Sequence, residues 1–142
     1  MIRAEGRAVE RAFINPKGAA NSVPRGYSHV AKIKNPGTFV YVAGQGPIGD
    51  KLELIGRGDI EAQVRATFQN IKRNLEAAGA SFNDVVKMNI FCTDIKTQQW
   101  PIRNVRAEFI NTENPPVSTM VEVSRLAIDG MLIEVEVVAL LP

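Results

Sequence analysis

The run DIEAQVRATFQNIKRNLEAAGASFNDVVK, residues 59–87, decides the fold. Within it Ile60, Val64, Phe68, Ile71 and Leu75 recur at helical spacing, which puts them on one apolar stripe. Asp59 is placed to cap the first turn with its side-chain oxygen. Gly79 sits where a left-handed residue ends a helix, because glycine has no Cβ to clash there. The opposite face carries Glu61, Arg65, Lys72, Arg73 and Glu76. An amphipathic helix of this length is read as lying across a sheet.

The sheet is sought on either side. Upstream, Tyr27, His29, Ala31 and Ile33 alternate with Ser28, Val30, Lys32 and Lys34, the period of a half-buried strand. Asn35-Pro36-Gly37 makes a turn, and residues 39–43 follow as a β-rich run ending at Gly44-Gln45-Gly46-Pro47. These two strands are expected to pair as a hairpin. Downstream, 85–93 reads as a third strand, and Trp100-Pro101 is expected to open a shorter helix holding Ile102, Val105 and Phe109. Pro115-Pro116 ends that helix, since proline lacks the amide proton and disfavours helix before it. Residues 117–123 and 131–140 complete the strands. The pattern predicts one α+β domain over 23–142, with helices on one face of a mixed sheet. Residues 1–22, rich in Ala, Gly and Arg, are expected to form a loose N-terminal extension with at most a turn or two of helix.

The last strand bears on assembly. Met131, Ile133, Val135, Val137 and Ala139 form one wholly apolar face, suited to a helix-covered core. Leu132, Glu134, Glu136, Val138 and Leu140 form the other, too greasy for open water and too charged for plain core. A subunit interface with a lined cleft satisfies both demands, whereas the simpler alternative is an ordinary solvent face.

Composition removes several function classes. A net charge of +2 with no basic stripe gives nucleic acid nothing to grip. No apolar run approaches the roughly 20 residues that span a bilayer, and no signal-peptide pattern follows Met1. A single cysteine, Cys92, excludes an intrachain disulfide, so a cytoplasmic location is expected. One histidine and one cysteine fall short of a zinc site, and no P-loop or dinucleotide motif occurs; no metal or cofactor is expected. His29 is read as a hydrogen-bonded, half-buried strand residue rather than a proton shuttle. Cys92, in line with Val86, Met88 and Ile90, is read as buried, and Trp100 as packing at the second helix's start. Glu134 stands out as the candidate acid or base.

Several segments together resemble the reactive intermediate deaminase (Rid, or YjgF-type) family. Gly26-Tyr27-Ser28 is similar to its GPYS-like segment, and Val42-Ala43-Gly44-Gln45 with Pro47 to its VSGQ-x-P turn. Residues 59–87 follow its QxxxxLxNIxxxLxAAGAxxxDVVK run, and Thr93-Asp94 and Asn104 continue it. PVSTMVEVSRL, residues 116–126, resembles PARSxVEVxxL, and Ile133-Glu134-Val135-Glu136 resembles VEIE. The resemblance covers about residues 24–140. It implies a chorismate-mutase-like fold assembled as a homotrimer with three inter-subunit clefts. It also implies cofactor-free hydrolysis of enamines and imines such as 2-aminoacrylate to keto acids and ammonia.

In active members an arginine of PARS forks onto the substrate carboxylate, and the glutamate opening EIE positions water or moves protons. By this resemblance Glu134 is the catalytic residue, and Tyr27, Ser28, Ala43, Asn104 and Val117 line the substrate site. Val117 is taken to replace the arginine, and Ala43 a usual serine. Arg25 is weighed as a substitute cation against the plainer reading that it faces solvent. The expected function is an imine or enamine deaminase of altered selectivity, not an ordinary 2-aminoacrylate deaminase. The alternative is a trimer that binds a small metabolite without turning it over. A partner protein acting through its outer surface finds no support in the mixed-charge helix faces, and the ribonuclease activity linked with some members lacks a basic groove here.

Overall fold

The computed structural model describes residues 8–142. The helical run forms α1, Ile60–Ala77, and Asp59 accepts the Ala62 amide at 3.1 Å as its cap. Its stripe faces a four-stranded sheet made of β3 (Thr38–Gln45), β4 (Val85–Cys92), β5 (Val117–Glu122) and β6 (Ile133–Leu141), packing against β3 and β6. Their spatial order is β3-β6-β4-β5, with β4 and β5 parallel and the other pairs antiparallel. The helices cover one face of this mixed sheet, as the sequence predicts. Between them lie Val64, Phe68, Ile71, Leu75, Met88, Ile90, Cys92, Ile133 and Val135, all fully buried. Phe68 sits in an aromatic cluster with Phe82 and Phe109, ring centroids 5.4–5.8 Å apart. Each such side chain contributes about 1.5–3 kcal/mol by leaving water.

Three expectations need correction. Val30–Lys34, β2, does not pair with β3; it pairs antiparallel with β1, Glu10–Ile14, as a separate two-stranded sheet. The expected loose extension therefore holds a strand at Glu10–Ile14, while 15–22 are turn and irregular chain, and no α-helical turn occurs in 8–22. Residues 1–7 lie outside the described residues. The physical reason is that β1 alternates Arg11 and Phe13 inward against Ile33 and Ala31, a short period-2 signal lost among polar neighbours. Arg11 then hydrogen-bonds the Leu140 carbonyl and pairs with Asp84 at 3.5 Å, which ties the small sheet to the large one.

The second helix, α2, runs from Ile95 to Arg106, so Pro101 lies inside it and Trp100 is mid-helix and 52% exposed. Its start is held by Gln98, whose side-chain oxygen accepts the Thr93 and Asp94 amides at 3.1 and 3.0 Å. Those two amides lie at and just before the cap, the first helical amide, Ile95, donates to the Glu122 carboxylate at 3.0 Å, and Pro101 forgoes only one later bond.

Buried Gln63 joins α1 to the sheet. Its amide donates to the Gly56 and Gly130 carbonyls at 3.2 and 2.9 Å, and its oxygen accepts the Leu132 amide at 2.8 Å. Replacing it with leucine orphans three backbone groups under the helix. Gln63→Leu is expected to lower unfolding free energy by about 3 kcal/mol in urea titrations, and a loss below the scatter of surface variants would refute the clamp.

Candidate active site

The face of the sheet away from the helices carries the candidate chemistry. Register places Glu134 opposite Phe91, Glu136 opposite Asn89, and Val138 opposite Lys87 and Tyr41. On the other side of β4, Lys87 pairs with Val117 and Phe91 with Val121. This face keeps large apolar groups in the open: Tyr41 is 74% exposed and Phe39 52%, with their rings stacked at 6.2 Å. No helix among the described residues is long and apolar enough to cross a membrane. The described residues hold no cluster of three or more metal-type ligands.

Glu134 owes its setting to β3. The register of β3 on β6 slips by one residue between Val42 and Gln45, so Ala43 and Gly44 form a bulge beside it. The Glu134 carboxyl lies over Gly44, in the space a Cβ would occupy. A glycine is required there by close approach rather than by backbone angle. Ala43 opens onto a groove of about 460 Å³ shared with Tyr41, Lys87, Asn89 and Glu136. Asn89 donates to the Glu136 carboxylate at 3.0 Å and orients it.

Tyr27, Ser28 and Val117 come together in a second hollow of about 240 Å³, with His29, Lys87 and Thr119. Ser28 is bridged to Val117, its amide donating to the Pro116 carbonyl at 3.1 Å. Its hydroxyl is buried and meets no hydrogen-bond partner among the described residues. His29 is half-buried with its Nε2 on the Ala20 carbonyl at 2.8 Å, hydrogen-bonded as expected but in a bend just ahead of β2 rather than in a strand. Cys92 is buried, and burial pushes its thiol up, which disfavours the nucleophilic thiolate. Arg25 and Asn104 lie elsewhere, in a hollow of about 260 Å³ beside Trp100. The Arg25 guanidinium stands 5.9 Å from the Trp100 ring centre and does not line the Tyr27–Ser28–Val117 hollow.

One chain therefore leaves the candidate residues in separate places. Glu134 lies level with Phe91 and Val121, whereas Val117 lies level with Lys87, four residues away along β4. That is about 13 Å along the strands and about 10 Å across them.

The family model described as Endoribonuclease L-PSP matches residues 19–141. The chain belongs to the Rid family. A RutC family protein of Pyrococcus horikoshii is 42% identical over 113 residues, 80% of this chain and 85% of its own length. The 2-iminobutanoate/2-iminopropanoate deaminase of Salmonella typhimurium is 34% identical over 106 residues, 72% of this chain and 80% of that enzyme. The crystal structure of YyfB from Yersinia pestis, of the conserved Rid protein family, superposes with a TM-score of 0.83. It is 31% identical and covers 92% of this chain and 98% of YyfB.

Family membership sharpens one assignment. Counting back along PARSxVEV from Val121-Glu122-Val123, Pro116, Val117, Ser118 and Thr119 take the positions of P, A, R and S. The residue standing at the arginine is thus Ser118, and Val117 stands at the preceding alanine. Ser118 opens toward Tyr27 in both neighbouring hollows. Arg103 and Arg106 were missed from sequence because they lie on a helix, where scattered arginines read as a solvated face.

Gly44→Ala is expected to push the Glu134 carboxyl aside while the fold tolerates the methyl, because a flexible side-chain end is what yields. Thermal unfolding should stay near the parent and any Glu134-dependent turnover should fall; unchanged turnover in a folded variant would detach Glu134 from Gly44.

Proposed function

We propose that this Rid-family chain is a cofactor-free hydrolase of small imines or enamines, with Glu134 as the proton-transfer group. What supports this most is the carboxyl of Glu134, set over Gly44 at a strand bulge on the uncovered face of the sheet. The similarity to a relative named as a 2-iminobutanoate/2-iminopropanoate deaminase agrees with it. In the proposed reaction Glu134 accepts a proton from water as the oxygen attacks the imine carbon. The carbon–nitrogen double bond opens to a carbinolamine. The same carboxyl returns that proton to nitrogen, then takes the carbinolamine hydroxyl proton and passes it to the nitrogen as the carbon–nitrogen bond breaks, so that a keto acid and ammonia leave.

The separation of Glu134 from the Tyr27–Ser28 hollow is too great for one small substrate. Three copies packed through the exposed Phe39–Tyr41 side of the sheet would set one chain's Glu134 against a neighbour's Tyr27 and Ser28. This is the arrangement a homotrimer with inter-subunit clefts provides, and it would also cover the apolar side chains now open to water. A second reading, a trimer that binds a metabolite without turnover, is favoured by Ala43 and Ser118. Ser118 lacks the guanidinium, and Ala43 the hydroxyl, that the family pattern places at those positions.

The test generates imines from neutral, acidic and aromatic amino acids with an amino-acid oxidase and follows keto-acid release. The parent is expected to accelerate release from at least one class. Glu134→Gln should lose that acceleration by roughly 10²–10⁴-fold while folding normally. Release at the uncatalysed rate from every imine, with activity gained only by Ser118→Arg, would replace deamination with the binding reading.

A further inference from the structure

Two arginines, Arg103 and Arg106, stand beside Ser118, with Arg25 next to them in the adjoining hollow at Trp100, and no carboxylate among the described residues pairs with any of the three. Arg103 and Arg106 of α2 line a hollow of about 220 Å³ whose other walls include Tyr27, Ser118 and Thr119. Arg106 is only 2% exposed. One of its terminal nitrogens donates to the Arg25 carbonyl at 2.8 Å, and its Nε finds no acceptor among the described residues. Gly26, at a φ of +85°, lets it reach there, because a Cβ would collide with the guanidinium. Arg103 is half-buried, held by Gln99 at 2.7 Å, and stacked 5.0 Å from the Trp100 ring centre. None of the ion pairs among the described residues includes Arg25, Arg103 or Arg106.

Burial, then Arg103, pushes Arg106 down to about 10, and burial, then Arg25, lowers Arg103. Both remain cations at neutral pH. A buried cation with an unmet N–H next to a second cation is costly unless an anion completes it. The hydroxyls around it, Tyr27, Ser118 and Thr119, are the donors a small oxyanion accepts from.

We propose that Arg103 and Arg106 hold the substrate's carboxylate at Ser118, replacing from α2 the arginine that the family pattern places on β5. The inference rests on the imine-hydrolase reading and names its selectivity: substrates would be 2-imino acids, small enough for the hollow and carrying a free carboxylate. Arg106 supplies the buried charge, and Arg103, on the open rim, closes over the ligand.

The probe is pyruvate, the keto-acid product of the smallest such substrate, with inorganic phosphate as a second arm. Binding to the full-length protein is read by calorimetry and by fluorescence of Trp100, the chain's one tryptophan, which touches Arg103. Millimolar pyruvate is expected to bind and to change Trp100 emission. Arg103→Met should weaken binding roughly ten- to a hundredfold. Arg106→Met should abolish it, and Arg106→Lys should keep part of it. Because Arg106→Met also loses the Arg25 carbonyl bond, Arg103→Met carries the test if that variant does not fold. Pyruvate bound equally by parent and Arg103→Met, no pyruvate binding by the parent, or phosphate binding in preference to pyruvate would each overturn the proposal. So would a fall to smaller assemblies in light scattering with affinity per folded chain unchanged, which would assign the arginines to a subunit contact. Imine turnover that persists in both variants leaves deamination standing and removes this inference. Lost pyruvate binding in a chain that turns over no imine does the reverse.

Discussion

Two helices cover one face of a four-stranded sheet, and none of the described helices lies on the other, where Tyr41 and Phe39 stay open. Every feature of the site follows from that constraint. Along β6 the period of two sends Ile133, Val135, Val137 and Ala139 into the dry core and Glu134 and Glu136 to the open side. A slip of one residue would bury two carboxylates and expose the core, so register is fixed by the whole hydrophobic pattern. Gln63 adds a local pin, since it accepts the Leu132 amide just ahead of the strand. The apolar stripe of α1 thus positions an acid it never touches.

How far the sequence reached depended on whether a signal was periodic. Five apolar positions over sixteen residues identify α1, and the alternation in β6 predicts which glutamates face out. The β1–β2 sheet was misread because β1 is five residues long and its partner lies across a loop of polar residues. Nothing in Val30–Lys34 says which neighbour it prefers, so proximity suggested β3. The start of α2 was hidden for another reason. Proline normally marks a first turn, and here the helix starts a turn and a half earlier, where Gln98 accepts the amides of Thr93 and Asp94 just ahead of it and Glu122 accepts that of Ile95.

The candidate site was legible in parts. Glu134, Tyr27, Ser28 and Ala43 could be named from motifs, yet motifs carry no distances. Only the sheet register reveals that Glu134 and Ser28 belong to opposite ends of the open face. A motif also has a register of its own, and a one-position slip put Val117 in place of Ser118. The difference matters chemically. A valine would close the position with an apolar branch, whereas serine leaves a small polar opening that a side chain from elsewhere can enter.

That opening explains an electrostatic arrangement otherwise hard to justify. Arg25, Arg103 and Arg106 crowd around Trp100 and Gly26, and each guanidinium lowers the tolerance of the next for charge. Stability alone would favour a leucine at position 106, because replacing an unpaired buried ion with a packed apolar group usually stabilises. The cation–π contacts with Trp100 offset only a part, about 0.5–1 kcal/mol at an exposed ring. A folded chain that retains the cluster therefore carries a standing cost, localised at a hollow lined with hydroxyls. The cost falls when an anion enters and the arginines exchange mutual repulsion for charge-assisted hydrogen bonds. Moving the guanidinium from strand to helix also changes its angle of approach, so the same carboxylate would be held in a new orientation relative to the proposed acid, Glu134. Selectivity can shift in this way while the fold, the glutamate and its glycine stay where they were.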